Sequence, residues 1–137
     1  MPKTFYIGVK ALIINKNKVL LLKAKSKDSK YYWDLPGGRM EENETNVQTL
    51  NRELKEELPS ISNIQISDLI GCYKFPKTLN DGQGLMLLIY KVNADLNEIK
   101  LSNEHLEYKW LSKEELLDIQ NEAEINPEYK NIIYKSL

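Results

Sequence analysis

The fold is decided by residues 33–60, which read WDLPGGRMEENETNVQTLNRELKEELPS. A pair of glycines is followed by a short acidic loop and then by a segment with helical spacing. Apolar residues recur in that segment at intervals of three or four positions, at Val47, Leu50, Leu54 and Leu58. Such spacing places them along one side of a helix. We therefore predict a helix from Asn46 to Leu58.

Both ends of this helix are marked in the sequence. Thr45 is followed three residues later by Gln48, which is the pattern of a capping box. At the other end, Pro59 has no N–H to continue the helix and disfavours a helical conformation at Leu58. The helix is therefore expected to begin after Thr45 and to stop before Pro59.

Three glutamates of this helix lie close together. At about 100° per residue, Glu53, Glu56 and Glu57 fall within one arc beside the apolar side. Like charges at this spacing destabilise a helix by a few tenths of a kcal/mol per pair. One interpretation is a solvated acidic face in which Arg52 pairs with Glu56. The other is a site for a hard cation such as Mg²⁺, which takes oxygen ligands.

The order of the residues favours the second interpretation. Gly38 is followed after five residues by Glu44, and after seven more by the run Arg52-Glu53-Leu54-Lys55-Glu56-Glu57. This pattern closely resembles the Nudix box, the signature of the Nudix (MutT-like) hydrolase family. The preceding residues 35–37, Leu-Pro-Gly, are also typical of that family.

The match to the box departs from the family pattern at its end. Pro59 stands where the family usually has Gly, and Ser60 stands where it has an aliphatic residue. Gly would permit a left-handed turn, whereas the ring of Pro fixes φ near −65°. The exit of the helix is therefore expected to differ from the family's usual form.

The resemblance implies a Nudix α/β/α sandwich, in which helices pack on both faces of a mixed sheet. The remainder of the chain agrees with this α/β fold. Strands are predicted at 4–14, 18–25, 64–75, 85–92 and 106–111, and further helices at 112–119 and from Asn126-Pro127 onward. Loops at 26–30 and 76–84 are expected to set substrate specificity. The length of 137 residues fits one domain, 1–137.

The resemblance also implies Mg²⁺-dependent hydrolysis of a diphosphate linkage in a nucleoside diphosphate joined to another group, such as a (d)NTP. Mn²⁺ is an expected substitute for Mg²⁺. Glu56 and Glu57 are the expected metal ligands, and Glu53 is either a ligand or the base for the attacking water. Arg52 matches the box arginine that orients the glutamates, and the backbone carbonyl of Gly38 is a further expected ligand.

Three further residues complete the set of candidates. Glu104 lies where some Nudix enzymes place an additional metal-binding carboxylate, although a solvated loop glutamate is an equal alternative. His105 is the single histidine and is expected to be packed or exposed on the surface, with a catalytic role as the alternative. Glu44 is expected to be structural, near the positive end of the helix.

Composition limits the partners of the chain. A net charge of −1 gives no electrostatic footprint for nucleic acid or an acidic membrane. The expected partner is a small-molecule nucleotide, with the protein a monomer or a homodimer. No apolar run approaches the length of about 18 residues that a membrane span needs. The single cysteine, Cys72, is compatible with a reducing cytoplasm and is predicted to be a small core residue.

Two other functions compete with the hydrolase. The first is a catalytically silent Nudix-fold module that binds a nucleotide as a sensor, but such a module need not keep a repulsive cluster of carboxylates. The second is action on the 5′ end of RNA, which the near-neutral charge disfavours.

Overall fold

A computed structural model describes residues 3–26 and 30–137 of the chain. Residues 27–29 of the predicted loop at 26–30 lie outside the described residues. The chain forms strands and helices in the order β1 (Phe5–Asn15), β2 (Lys18–Lys25), β3 (Tyr31–Asp34), β4 (Gly37–Arg39), α1 (Asn46–Glu57), β5 (Ser62–Lys74), β6 (Gly84–Asp95), β7 (Glu107–Leu111), α2 (Lys113–Asp118) and α3 (Pro127–Lys135).

The strands form one mixed sheet with the order β3-β2-β1-β6-β5, in which β4 also pairs with β1 and β7 with β2. The pair β1 and β6 is parallel, whereas the other pairs are antiparallel. Lys16 and Asn17, with φ of 52° and 63°, form the tight turn between β1 and β2. β1 pairs with β2 only near this turn, and it pairs with β4 through Gly8, Val9 and Lys10. The sheet therefore divides at the middle of β1, next to the Gly37–Gly38 pair.

Helices cover both faces of the sheet, as predicted. On one face α1 buries Leu50, Leu54 and Leu58 against a cluster that includes Val9 and Ala11 of β1. On the other face α2 and α3 pack over a second cluster, which includes Leu12, Leu21, Leu116, Tyr129 and Ile133. Residues alternate between the two clusters along β1 and β2 because successive strand side chains point to opposite faces. Burying each large aliphatic side chain contributes about 1.5–3 kcal/mol.

Both predicted ends of α1 are confirmed. The Thr45 hydroxyl accepts a hydrogen bond from the Gln48 N–H, and the Gln48 side chain accepts one from the Thr45 N–H. At the exit, Ile61 N–H donates to the Leu58 carbonyl at 2.9 Å, which closes a turn around Pro59 and Ser60. Pro suits the second position of such a turn. Neither Pro59 nor Ser60 has a left-handed backbone conformation, so glycine is not needed at position 59.

Two predictions of burial were wrong. Val47 is 46% exposed, although it lies on the apolar side of α1. Helical angle sets the direction of a side chain, but burial also needs a packing surface beneath the first turn; Thr49 is buried there instead. Cys72 is exposed rather than in the core. Its neighbour Tyr73 takes the core side of edge strand β5, and alternation turns Cys72 to the open side.

Among residues 3–26 and 30–137, no helix combines the length and the apolar character that crossing a membrane would require.

Candidate active site

The three glutamates of α1 lie at different depths. The side chain of Glu56 is 59% exposed, that of Glu53 is 17% exposed and that of Glu57 is 6% exposed. This gradient follows from their angles on a helix whose apolar side, Leu50 and Leu54, is completely buried. The glutamate nearest to that side is the one drawn furthest into the protein.

Arg52 joins the acidic residues into one network. Its Nε and one terminal nitrogen donate to the two carboxylate oxygens of Glu44, at 2.6 and 2.9 Å. The other terminal nitrogen donates to Glu53 at 2.9 Å and lies 3.4 Å from Glu56. A further bond of 3.1 Å reaches the backbone carbonyl of Arg39. Arg52 therefore fixes two box glutamates relative to the loop that precedes α1, and Glu44 fixes Arg52.

The predicted structural role of Glu44 has an electrostatic consequence. Its hydrogen bonds with Arg52, and then the N–H of Glu41, lower the pKa of Glu44 from 4.5 to about 2. A carboxyl whose pKa is depressed by folding stabilises the protein at neutral pH, and this contribution is lost as pH falls.

We expect Glu44→Gln to remove that pH-dependent part of the stability. The difference in unfolding free energy between wild type and variant should be largest above pH 4.5 and should shrink as pH approaches 2, because the unfolded carboxyl protonates first. Urea unfolding of both proteins at pH 7 and pH 3 would measure this. An equal difference at the two pH values would contradict the assignment.

A side chain is excluded at each of the two glycines before the acidic loop, but for different structural reasons. Gly37 has a φ of +139°, and a side chain there would lie 2.8 Å from the Lys10 Cα and collide with the Val9 carbonyl. Gly38 has no such backbone restriction. A methyl group at Gly38 would lie 2.5 and 2.6 Å from the carboxylate oxygens of Glu53. Gly37 is thus required by the sheet, whereas Gly38 leaves the space that the Glu53 carboxylate occupies.

Glu57 reaches back to the glycine pair from the end of α1. Its Oε1 accepts a hydrogen bond of 2.6 Å from the Gly37 N–H, and its Oε2 lies 3.2 Å from Nε2 of His105. Burial raises the pKa of Glu57 to about 8, although the nearby charge of Lys10 and the Gly37 N–H lower it. Ionised Glu57 is therefore favoured most when a further cation lies beside it.

The sequence interpretation missed a buried charged pair next to Glu57. The ammonium of Lys10 lies 2.9 Å from Asp34 and 3.5 Å from the Gly37 carbonyl, and the Tyr129 hydroxyl donates to Asp34 at 2.7 Å. Burial lowers the pKa of Lys10, but the charges of Asp34 and Glu57 and the hydrogen bond to Asp34 together outweigh this effect, so the pKa is raised. The signal was present, since Lys10 is the one charged residue in the apolar run from Val9 to Ile14. Such a lysine within a buried strand needs a partner.

Replacing Lys10 by Met should lower the unfolding free energy by about 2 kcal/mol. The upper range for breaking a buried pair is about 3–5 kcal/mol, but Asp34 keeps the Tyr129 bond and its side chain is 22% exposed. Lys10→Met combined with Asp34→Asn should recover part of the loss, because no unpaired charge remains and the amide oxygen can still accept the Tyr129 hydrogen bond. Denaturant unfolding of the single and double variants would measure both effects, and a double variant no more stable than Lys10→Met would contradict the pairing.

The two candidates on the loop between β6 and β7 have different positions. The His105 side chain is 10% exposed and packs against Glu57, and its catalytic role stays a prediction. Glu104 is exposed beside it, and its charge lies close enough to act on the pKa of His105. The metal-binding role of Glu104 stays a prediction.

The donor set suits a hard cation that is completed by a substrate. Within the described ranges 3–26 and 30–137, there is no group of three or more acidic, histidine or cysteine side chains that could hold a metal ion. Mg²⁺ does not need one, since it is usually bound through one or two carboxylates together with substrate phosphates. The Glu53 carboxylate against Gly38 and the exposed Glu56 supply oxygen ligands of this kind. The residues present therefore fit Mg²⁺.

The chain is similar to known proteins over most of its length. The sequence profile of the NUDIX domain matches residues 4–135. An RNA pyrophosphohydrolase of Pelagibacter ubique (strain HTCC1062) is 26% identical over 144 residues, which cover 95% of this chain and 87% of that relative. An ADP-ribose pyrophosphatase of Methanocaldococcus jannaschii is 28% identical over 128 residues, covering 93% of this chain and 70% of the relative. The crystal structure of a MutT protein from Methanosarcina mazei Go1 superposes with a TM-score of 0.78 and 28% identity, over 98% of this chain and 94% of the other.

Proposed function

Since this chain belongs to the NUDIX domain family, whose members act on phosphoric anhydrides, we propose that it is a Mg²⁺-dependent hydrolase of nucleotides. The linkage cleaved is the diphosphate of a nucleoside diphosphate joined to another group, and Mn²⁺ is expected to replace Mg²⁺. The small-molecule nucleotide is the proposed partner and the cytoplasm the proposed location.

The observation that carries this proposal is the arrangement around Arg52. Two glutamates of the box are held by one guanidinium, and one of them, Glu53, lies directly against the backbone of Gly38. A rigid helix that holds carboxylates with supporting hydrogen bonds is what a metal-assisted site requires. A structural acidic face would not need the space that Gly38 leaves.

Each residue has a proposed role. Glu53, Glu56 and Glu57, with the Gly38 carbonyl, would hold the cation, and Glu104 is proposed as an additional ligand. When bound, the cation neutralises phosphate oxygens and lowers the pKa of a bound water. The alternative proposed role of Glu53 is as the base for the attacking water, which is supported by its largely buried carboxylate and its contact with Arg52.

The relatives share one substrate feature. Two relatives that cover most of this chain are an RNA pyrophosphohydrolase and an ADP-ribose pyrophosphatase. Both names denote cleavage of a pyrophosphate group in a nucleotide compound. Triphosphorylated RNA is therefore a second candidate substrate, favoured by the 95% coverage in the first comparison. The net charge of −1 argues against it, because RNA binding relies on basic contacts.

The test is product release from a panel of substrates with Mg²⁺ present. The panel holds canonical and oxidised nucleoside triphosphates, ADP-ribose, dinucleoside polyphosphates, nucleotide sugars and 5′-triphosphorylated RNA. A phosphatase-coupled reaction detects cleavage that leaves only monoesters. Turnover of one class identifies the substrate, and turnover confined to RNA with strong salt dependence would establish the second candidate. Binding without turnover of any member would instead favour a nucleotide sensor.

A further inference from the structure

Both oxygens of the Glu57 carboxylate are held, and by different parts of the chain. Oε1 accepts from the Gly37 N–H of β4 at 2.6 Å. Oε2 faces Nε2 of His105, in the loop before β7, at 3.2 Å. The two side chains are only 6% and 10% exposed, so water does not compete strongly for this contact. The sheet therefore donates a hydrogen bond to one oxygen of Glu57, and the loop places a ring nitrogen 3.2 Å from the other.

The other ring nitrogen of His105 shows which nitrogen carries the proton. Nδ1 is buried and has no hydrogen-bond partner among the described residues. A buried N–H without a partner is rarer and more costly than a bare acceptor. The neutral tautomer with the proton on Nε2 is thus favoured, because the other tautomer and the imidazolium would each bury an Nδ1–H without an acceptor. In this tautomer the proton is on Nε2, the nitrogen that lies 3.2 Å from Oε2 of Glu57.

Backbone hydrogen bonds hold this loop against the end of α1. The Ser102 N–H donates to the Glu57 carbonyl at 3.2 Å, and the His105 N–H donates to the Ser102 carbonyl at 3.3 Å. The Ser102 hydroxyl, like Nδ1 of His105, is buried without a partner in the described part of the chain. Each such atom costs stability. An apolar side chain at position 105 would therefore remove one of these unpaired buried atoms.

We propose that His105 is a positioning residue, which holds the Glu57 carboxylate in its working orientation by donating a hydrogen bond from Nε2. The proposal rests on the proposed function, in which Glu57 is a metal ligand. It assigns to this chain an outer partner for that ligand, supplied by a loop outside the Nudix box. Removing an outer partner of a metal ligand typically lowers activity or metal affinity by about 10- to 100-fold.

Three substitutions separate positioning from packing. His105→Gln places an amide N–H near the position of Nε2, whereas His105→Asn places one near Nδ1, where no partner exists. His105→Leu removes both nitrogens. We expect kcat at saturating Mg²⁺ to fall by about 10- to 100-fold in His105→Leu and His105→Asn, and His105→Gln to recover most of the loss. KM should change less than kcat in all three.

The melting temperatures of the variants test whether His105 serves packing instead of positioning. The melting temperature of His105→Leu should stay close to that of wild type, because the lost contact with Glu57 is offset by removal of an unpaired buried nitrogen. If His105→Leu retains wild-type kcat, or if the Gln and Asn variants are equally impaired, the positioning role is wrong. If His105→Leu fails to fold, the Gln and Asn pair still decides between the two outcomes.

A spectroscopic measurement tests the same hydrogen bond without turnover. Because the chain has one histidine, the imidazole ¹⁵N signals come from His105 alone. In the folded protein with Mg²⁺ we expect a proton on Nε2 and none on Nδ1. A proton on Nδ1 would overturn the inference even if the enzyme is active. Failure of the panel assay with the expected tautomer present would instead count against the proposed function only.

Discussion

Glu56→Gln is expected to lower turnover by at least about 100-fold while leaving the fold intact. A bound metal ion contributes several kcal/mol to transition-state stabilisation, and each 1.36 kcal/mol is tenfold in rate. The structural cost is small, because the Glu56 side chain is 59% exposed and its contact with Arg52 is 3.4 Å long. Exposed substitutions of this kind change stability by no more than about 0.5 kcal/mol.

The control for this prediction is Glu114→Gln, which makes the same chemical change at an exposed position of α2. Steady-state kinetics and thermal unfolding of both variants give the comparison. Equal turnover of the two variants would show that Glu56 takes no part in the reaction, whereas unfolding of Glu56→Gln would show a structural role that its exposure does not indicate.

The two neighbouring glycines should respond to the same substitution in opposite ways. Gly38→Ala places a methyl group 2.5 and 2.6 Å from the Glu53 carboxylate oxygens, so the flexible end of Glu53 must move. A displacement of about 1 Å at a catalytic group can cost about 100-fold in rate. We expect Gly38→Ala to fold normally and to lose about that factor in kcat.

Gly37→Ala should instead disrupt the fold. Its Cβ would meet the backbone of Val9 and Lys10 on β1, and its φ of +139° is one that other residues avoid. Backbone atoms cannot give way as the end of a side chain does, so β4 would have to separate from β1. We expect a loss of about 3 kcal/mol or more in unfolding free energy. Denaturant unfolding and kinetics of the pair test both expectations, and equal effects of the two substitutions on stability would contradict the distinction.

The sequence alone was sufficient to predict the features that depend on residues close together in the chain. The caps of α1 follow from Thr45, Gln48 and Pro59, and the box residues are recognised by spacing alone. The mixed sheet with helices on both faces followed from the same resemblance and from the strand patterns. Each of these features involves residues that are neighbours in the chain or share a periodic pattern.

Features that depend on contacts between distant segments could not be predicted from the sequence. The contact of His105 with Glu57 needs the loop before β7 to dock on the end of α1, and no local pattern predicts this docking. Val47 and Cys72 were placed wrongly for a related reason, since periodicity gives the direction of a side chain but not the surface opposite it. Lys10 stands out in the sequence as a charged residue in an apolar run. Its partner Asp34, however, lies 24 residues away on β3.

The central claim is that this chain hydrolyses a nucleotide diphosphate linkage with a divalent cation held by the carboxylates of α1. The most direct measurement is the initial rate with the best substrate of the panel while Mg²⁺ is titrated from an EDTA-treated sample, for wild type and Glu56→Gln. We predict no turnover without metal, saturating turnover of wild type with Mg²⁺, and at least about 100-fold slower turnover of Glu56→Gln at the same Mg²⁺ concentration. Turnover of wild type in EDTA, or equal Mg²⁺ curves for the two proteins, would contradict the claim.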